Sequence, residues 1–214
     1  MDKPIPPQKS YAIDFVVHRQ IVGWLGVAMP LLIGFGTGIA YGSLPPSISA
    51  SYHTGMRNVF VGILFVLGAF LASYLGYRKN DRTFSIVAGV CAFIVALCPT
   101  SDRAPGMDVA SASVAIGRVH VGAAAILFAA LALISLVEFT QTAGTQTPKK
   151  KHRDRWYRGC AACIFVCLGI IGLCKALHYD RMGPLPTVFV LESVMIWAFG
   201  SSWLIKGEFM LKDD

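Results

Sequence analysis

Six long apolar runs, separated by short polar breaks, set the pattern of this chain: Ile21 to Gly42, Asn58 to Tyr77, Thr83 to Pro99, Val119 to Thr140, Tyr157 to Leu177 and Leu185 to Ile205. Each approaches the ~20 apolar residues that cross a ~30 Å hydrocarbon layer as a helix, with Thr83 to Pro99 at the short end of that range. Helices follow because a lipid interior offers backbone amides no partner outside their own segment. The pattern predicts an all-α polytopic membrane protein: six transmembrane helices in one bundle, with residues 1–214 forming a single domain.

Within the runs, small residues and aromatics suggest how the helices pack. Pro30 is expected to kink the first span, and Gly34, Gly38 and Gly42 recur every fourth residue, which lines one helix face for close approach by a neighbour. The fourth span is rich in alanine from Ala123 to Ala132, so the first and fourth spans are expected inside the bundle. Tyr77, Trp156, Tyr157 and Trp203 fall near span ends, where aromatic side chains anchor helices at the membrane interface.

Composition sharpens this picture. Hydrophobic residues make up 55% of the chain and charged residues 14%, a balance that points away from an ordinary soluble domain. The net charge of +7 would suggest nucleic-acid binding if it were spread evenly, but it is not. Fourteen of nineteen basic residues lie in the N-terminal segment, the second break, the fourth break and the C-terminal end. That alternation is the positive-inside pattern and places both termini in the cytoplasm. No reading element for nucleic acid accompanies it. The densest break, Lys149 to Arg158, also suits anionic lipid head groups. Met1 to Gln20 carries charges and prolines ahead of a full-length first run, so no cleavable leader is expected.

The six cysteines lie in two spans. Cys160-x-x-Cys163 has metal-ligand spacing but opens a membrane helix with no second pair outside, which favours packing. Cys98 and Cys174 both fall near the outer surface, where a disulfide between them is admissible.

With this orientation, the residues able to do chemistry gather on the outer side. His53, Asp102, Asp108, His120, His178 and Asp180 lie at or beyond the outer helix ends, with Ser47, Ser49, Ser51, Tyr52 and Arg57 beside His53. Glu192 lies about seven residues inside the last span, roughly 10 Å below its outer end at ~1.5 Å per residue. A carboxylate at that depth is expected to face the bundle interior and to be paired. Three arrangements fit. Glu192 pairs with Arg57 or Arg118 to hold the bundle together; or Ser49, Tyr52, Arg57, Arg118 and Glu192 form an outward cavity for a lipid or small ligand; or His53, Asp102, His120 and His178 hold zinc, with bound water as nucleophile. The leading expectation is a non-enzymatic protein without a cofactor, whose partners are membrane lipid, a membrane-protein subunit or a second copy of the chain. The alternative is a zinc-dependent hydrolase acting on a lipid amide or ester.

The stretch Ser47-Ile-Ser-Ala-Ser-Tyr-His53-Thr-Gly-Met-Arg57-Asn-Val-Phe-Val-Gly62, with Ala96-Leu-Cys-Pro-Thr100, His120 and the ending Phe199-Gly-Ser-Ser-Trp-Leu-Ile-Lys-Gly-Glu208, resembles a family of uncharacterised bacterial six-helix membrane proteins. The resemblance implies residence in the bacterial cytoplasmic membrane and brings no activity with it. Ser49-x-x-x-His53 is also similar to the second-helix motif of the superfamily of alkaline ceramidases and adiponectin receptors, seven-helix zinc-dependent amide hydrolases. There, Ser and His share a helix, an Asp comes from the next and a His-x-x-x-His pair from the last. Here, Asp102 stands where the Asp is expected, and the last span contains no histidine.

The charge distribution makes a direct prediction about sidedness. On a cysteine-free background, one reporter cysteine between 110 and 115 should react with a membrane-impermeant reagent in intact cells, and one between 142 and 147 should be spared. The reverse labelling would overturn the orientation.

Overall fold

The computed structural model describes residues 14–74, 79–101, 114–141, 147–177, 181–182 and 185–211. Its described residues are all-helical apart from loops and one small hairpin. Six α-helices follow in order: α1 (Phe15–Tyr41), α2 (Arg57–Ser73), α3 (Lys79–Leu97), α4 (Val114–Leu133), α5 (Pro148–Ala176) and α6 (Thr187–Lys206). A 3-10 helix, Ser49–His53, lies between α1 and α2, and a π-turn, Ile134–Glu138, extends α4. Arg181–Met182 pairs antiparallel with Leu185–Pro186 just before α6.

Local chemistry sets the helix ends. Asp14 caps α1 by accepting from the amides of Val16 (2.9 Å) and Val17 (3.4 Å). At the other end Gly42, at φ 67°, turns the chain off the helix while its amide stays on the Gly38 carbonyl. Thr147 caps α5 by accepting from Lys150 N at 3.1 Å, and Pro148 occupies the first helical position. The basic stretch Lys149 to Arg158, expected as a polar break, is thus the first turns of α5. Lysine and arginine are good helix formers, and Lys150 pairs with Asp154 one turn on.

The helices form a ring in chain order, each packed on the next, and α6 closes on α1. The outside of the ring is apolar: Phe35 and Ile39 on α1, Val90 on α3, Val119 on α4 and Val166 on α5 are all exposed, and Ile39 is 87% exposed. Four helices are long and apolar enough to cross a membrane: α1, α4 with its π-turn, α5 and α6. The apolar lengths of α2 and α3, Arg57–Ser73 and Arg82–Leu97, are shorter. Of the four, α6 is the most enclosed. This differs from the expectation that α1 and α4 occupy the interior, because side-chain volume does not say which helix has neighbours on most sides.

Close approach occurs at glycines other than Gly34, Gly38 and Gly42. A Cβ on Gly38 or Gly42 would meet nothing within 4 Å. A Cβ on Gly200 would lie 2.8 Å from the Gly23 carbonyl oxygen and 3.0 Å from the Val27 amide, so the α1 and α6 backbones touch along Gly23, Gly26 and Gly200. Gly68 and Gly89 do the same for α2 and α3. Trp197 Nε1 donates to the Val27 carbonyl (3.1 Å) and Gln20 Nε2 to the Gly207 carbonyl (2.8 Å), which fixes the register of the α1–α6 seam.

Two of the expected interfacial anchors are core residues. Trp203 and Tyr157 are buried with Phe139, Phe199 and Tyr74 in an edge-to-face block with ring centroids 5.1 to 5.9 Å apart. Trp156 is exposed as an anchor should be, and Tyr77 lies outside the described residues.

The seam predicts an asymmetry between glycines. Gly200→Ala should cost about 1–3 kcal/mol through overpacking, whereas Gly38→Ala should be neutral or slightly stabilising. Thermal unfolding of the two variants in detergent measures this; equal midpoints would show that the seam is not tight.

Candidate functional site

At the end of the ring where α1 finishes, residues 46–54 turn inward; Ser47 to Ser51 and Thr54 are buried, and Pro46, Tyr52 and His53 are half-buried. A buried loop must satisfy its own backbone, and this one does so with serine and threonine. Ser47 Oγ accepts from Ala50 N (3.0 Å), Ser51 Oγ donates to the Ile48 carbonyl (2.6 Å), and Thr54 Oγ1 donates to the Ser51 carbonyl (2.9 Å). Two further bonds join this plug to α6 in opposite senses. Phe189 N, in the first turn of α6, donates to the Pro46 carbonyl at 3.2 Å. Ile48 N donates to Glu192 Oε2 at 2.6 Å.

Glu192 therefore faces inward, but its described partner is the Ile48 amide. Arg57 is exposed and committed elsewhere: its Nη2 donates to the Tyr52 hydroxyl at 2.7 Å, and its guanidinium stacks 4.3 Å from the Tyr52 ring centroid. Arg118 is exposed on α4. The expected pairing of Glu192 with either arginine is thus replaced by a carboxylate-to-amide bond. An inward-turning loop supplies a nearer donor than a side chain at the rim.

The histidines have a structural task. His53 Nε2 donates to the Thr100 carbonyl (2.7 Å), and His120 Nδ1 donates to the Cys98 carbonyl (2.6 Å). Both carbonyls lie just past the end of α3, where a helix leaves its last acceptors without intrahelical donors. Ser49 and His53 share the 3-10 helix rather than a membrane span. Asp102 and His178 lie outside the described residues. Among the described residues no three His, Cys, Asp or Glu side chains come together as a zinc ion would require. All six cysteines, Cys98 and Cys174 included, are free thiols.

No family model, curated protein or solved structure matches this chain. The site is read from its own geometry.

Behind the plug are two adjoining cavities. The smaller, about 50 Å³, lies inside the ring and is lined by apolar side chains of α1, α2, α3, α4 and α6, including Met29, Phe60 and Leu127. The larger, about 280 Å³, lies among α4, α5 and α6. Its polar lining is Ser49, Thr100, His120, Lys175 and Glu192; its apolar wall includes Val121, Phe128, Leu168, Ile171, Val188 and Met195. Ser49 and Glu192 line both cavities. The structure thus brings together Ser49, His120 and Glu192, and leaves Tyr52, Arg57 and Arg118 off this lining.

Sequence reasoning missed Thr100 and Lys175 as lining residues. Lys175 was legible as the basic residue in the last turn of the fifth span. It also missed Glu138, a fully buried carboxylate in the π-turn. The signal that singled out Glu192, an acidic residue inside an apolar run, applies equally there.

The plug contact predicts a graded response. Glu192→Ala leaves the buried Ile48 amide without its acceptor and should cost about 1–3 kcal/mol; Glu192→Gln, which retains an acceptor oxygen, should recover most of it. Unfolding midpoints and hydrogen exchange at the Ile48 amide report this. Unchanged exchange in Glu192→Ala would show that the bond does not hold the plug.

Proposed function

We propose that this is a six-span membrane protein of the bacterial cytoplasmic membrane, with both termini cytoplasmic, that binds a lipid or small amphipathic ligand in the cavity among α4, α5 and α6. The observation that carries this reading is the lining itself: one acidic and one basic side chain, Glu192 and Lys175, with hydroxyls and an imidazole, in an otherwise apolar wall. Ligand sites take this form, with apolar walls supplying affinity and a few placed polar groups fixing orientation. A cavity holding both charge signs suits a head group that is zwitterionic or strongly dipolar.

Supporting the six-span count, α2 and α3 complete the ring and turn apolar side chains outward, among them Phe65, Val66, Ile86 and Val87. At ~1.5 Å per residue the 17 residues of α2 extend about 26 Å, near the lower limit for a span. The basic residues near the start of α1, the start of α5 and the end of α6 support an orientation with the plug and the cavity on the outer side.

Mass spectrometry of lipids and small molecules released from purified protein tests the proposal. The wild type should retain a defined ligand, and Ala125→Trp, which fills the cavity from α4, should lower its occupancy at least tenfold. Identical retention by both proteins would defeat the reading. Stoichiometric zinc in the same preparations, lost in His120→Ala, would favour the hydrolase in its place.

A further inference from the structure

A second concave surface lies at the opposite, basic end of the bundle, on the outside of the ring between α5 and α6. Its volume is about 690 Å³, and it is open to the surroundings. On α5 its lining residues are His152, Arg155, Trp156, Gly159, Cys160 and Cys163, a three-and-four spacing that puts them on one helix face. Val194, Trp197, Ala198 and Ser201 form the facing stripe of α6.

The groove is polarised along its length. His152 and Arg155 stand at one end, and the rest is aromatic, apolar or small. Two neighbouring cations are engaged: Lys150 pairs with Asp154, and Arg153 Nη1 donates to the Leu211 carbonyl at 3.1 Å. Arg155 and His152 make no ion pair or hydrogen bond among the described residues and are exposed at the groove. The polar atoms deeper in are internally occupied. Ser201 Oγ donates to the Ala198 carbonyl (3.0 Å), and the Trp197 indole donates to Val27 across the α1 seam. A ligand therefore meets positive charge at one end and a hydrocarbon-like surface below it.

The dimensions suit one leaflet. From residue 152 to residue 163 the helix rises about 16 Å, close to half of a ~30 Å hydrocarbon core. Trp156, exposed beside the basic end, flanks the groove as amphipathic side chains do near head-group level, while Trp197, midway along α6, belongs to its apolar length. Gly159 leaves its middle open: a Cβ there would meet nothing within 4 Å.

We propose that the α5–α6 groove holds one anionic phospholipid, with its head-group phosphate on Arg155 and His152 and an acyl chain along Gly159, Cys163, Val194 and Ala198. A free phosphate would use only the basic end, whereas the continuous apolar wall calls for a chain attached to it. The site is separate from the cavity behind the plug, and either can exist without the other.

Native mass spectrometry of the full-length protein, titrated with phosphatidylglycerol or phosphatidylcholine in detergent, tests this. The wild type should prefer phosphatidylglycerol. Arg155→Ala should weaken that binding about fivefold, the equivalent of one basic contact near an anionic surface. Arg158→Ala, which removes the same charge from the same helix outside the groove, should leave it unchanged. Gly159→Leu starts its side chain where a Cβ meets nothing within 4 Å and should lower retention of phosphatidylglycerol while preserving or raising the unfolding midpoint. Equal losses in Arg155→Ala and Arg158→Ala would reduce the effect to diffuse attraction, and undiminished binding by Gly159→Leu would remove the acyl chain from the groove. Either overturns the proposal, as does indifference between the two lipids. A photoactivatable phosphatidylglycerol on the wild type gives a readout free of mutagenesis: cross-links should map to 152–163 and 194–201, and cross-links spread over all helices would also overturn it.

Discussion

Backbone amides removed from water must find acceptors, and the plug of residues 46–54 meets that requirement by trading bonds with α6. The first turn of α6 has amides without intrahelical acceptors, and Phe189 N uses the Pro46 carbonyl. The plug in turn has an inward-pointing amide at Ile48, which uses Glu192. Each element thereby satisfies a group that the other cannot satisfy alone. The histidines extend the same logic to the end of α3, where His53 from the plug and His120 from α4 donate to carbonyls two residues apart. One end of the ring is thus tied together by side chains serving exposed backbone, and the cavities are the space these ties leave beneath them.

The architecture was legible in the sequence to the extent that it depends on hydrophobic length. The six apolar runs mark the six helices because apolar continuity is what permits a helix to leave water. Where polar residues continue a helix, that signal fails. Nothing in hydropathy distinguishes Lys149 to Arg158 as helix from the same residues as loop; the Thr147-Pro148 start does, through capping and the fixed φ of proline. The glycine seam was misplaced for a related reason. Gly34, Gly38 and Gly42 have the right spacing, but spacing only makes a smooth face and does not bring a neighbour to it. Gly23, Gly26 and Gly200 form the seam because α6 crosses α1 there, a property of two helices together.

At the candidate site, depth was readable and partnership was not. Glu192 stood out because an acidic residue inside an apolar run must face something polar. Its acceptor role toward Ile48 depends on a loop folding back into the ring, which no local pattern announces. Arg57 is the instructive error: it is near in sequence to the plug and of the right charge, yet Tyr52, five residues earlier, offers both a ring and a hydroxyl without any cost of burial. Exposed arginine keeps its hydration and stacks; a buried carboxylate takes the nearest amide.

Of the buried carboxylates, Asp154 pairs with Lys150 within α5, whereas Glu192 and Glu138 sit beside backbone that departs from α geometry, Glu192 against the 3-10 helix and Glu138 in the π-turn. Departures of this kind expose or redirect backbone groups, and in a membrane interior they persist only where something polar receives them. At the plug end the outcome is a cavity lined by both charge signs. At the other end the π-turn is followed by Phe139, which joins Trp203 and Tyr157 in the aromatic block, while Lys206 lies 5.4 Å from the Phe139 ring and Lys150 5.9 Å from that of Tyr157. Some cations at this end are drawn inward onto rings or along α5, and others, His152 and Arg155 among the basic side chains, face the α5–α6 groove. The asymmetry between the two ends, carboxylate-tied plug against cation-lined groove, follows from where each carboxylate and each unengaged arginine falls along otherwise similar apolar helices.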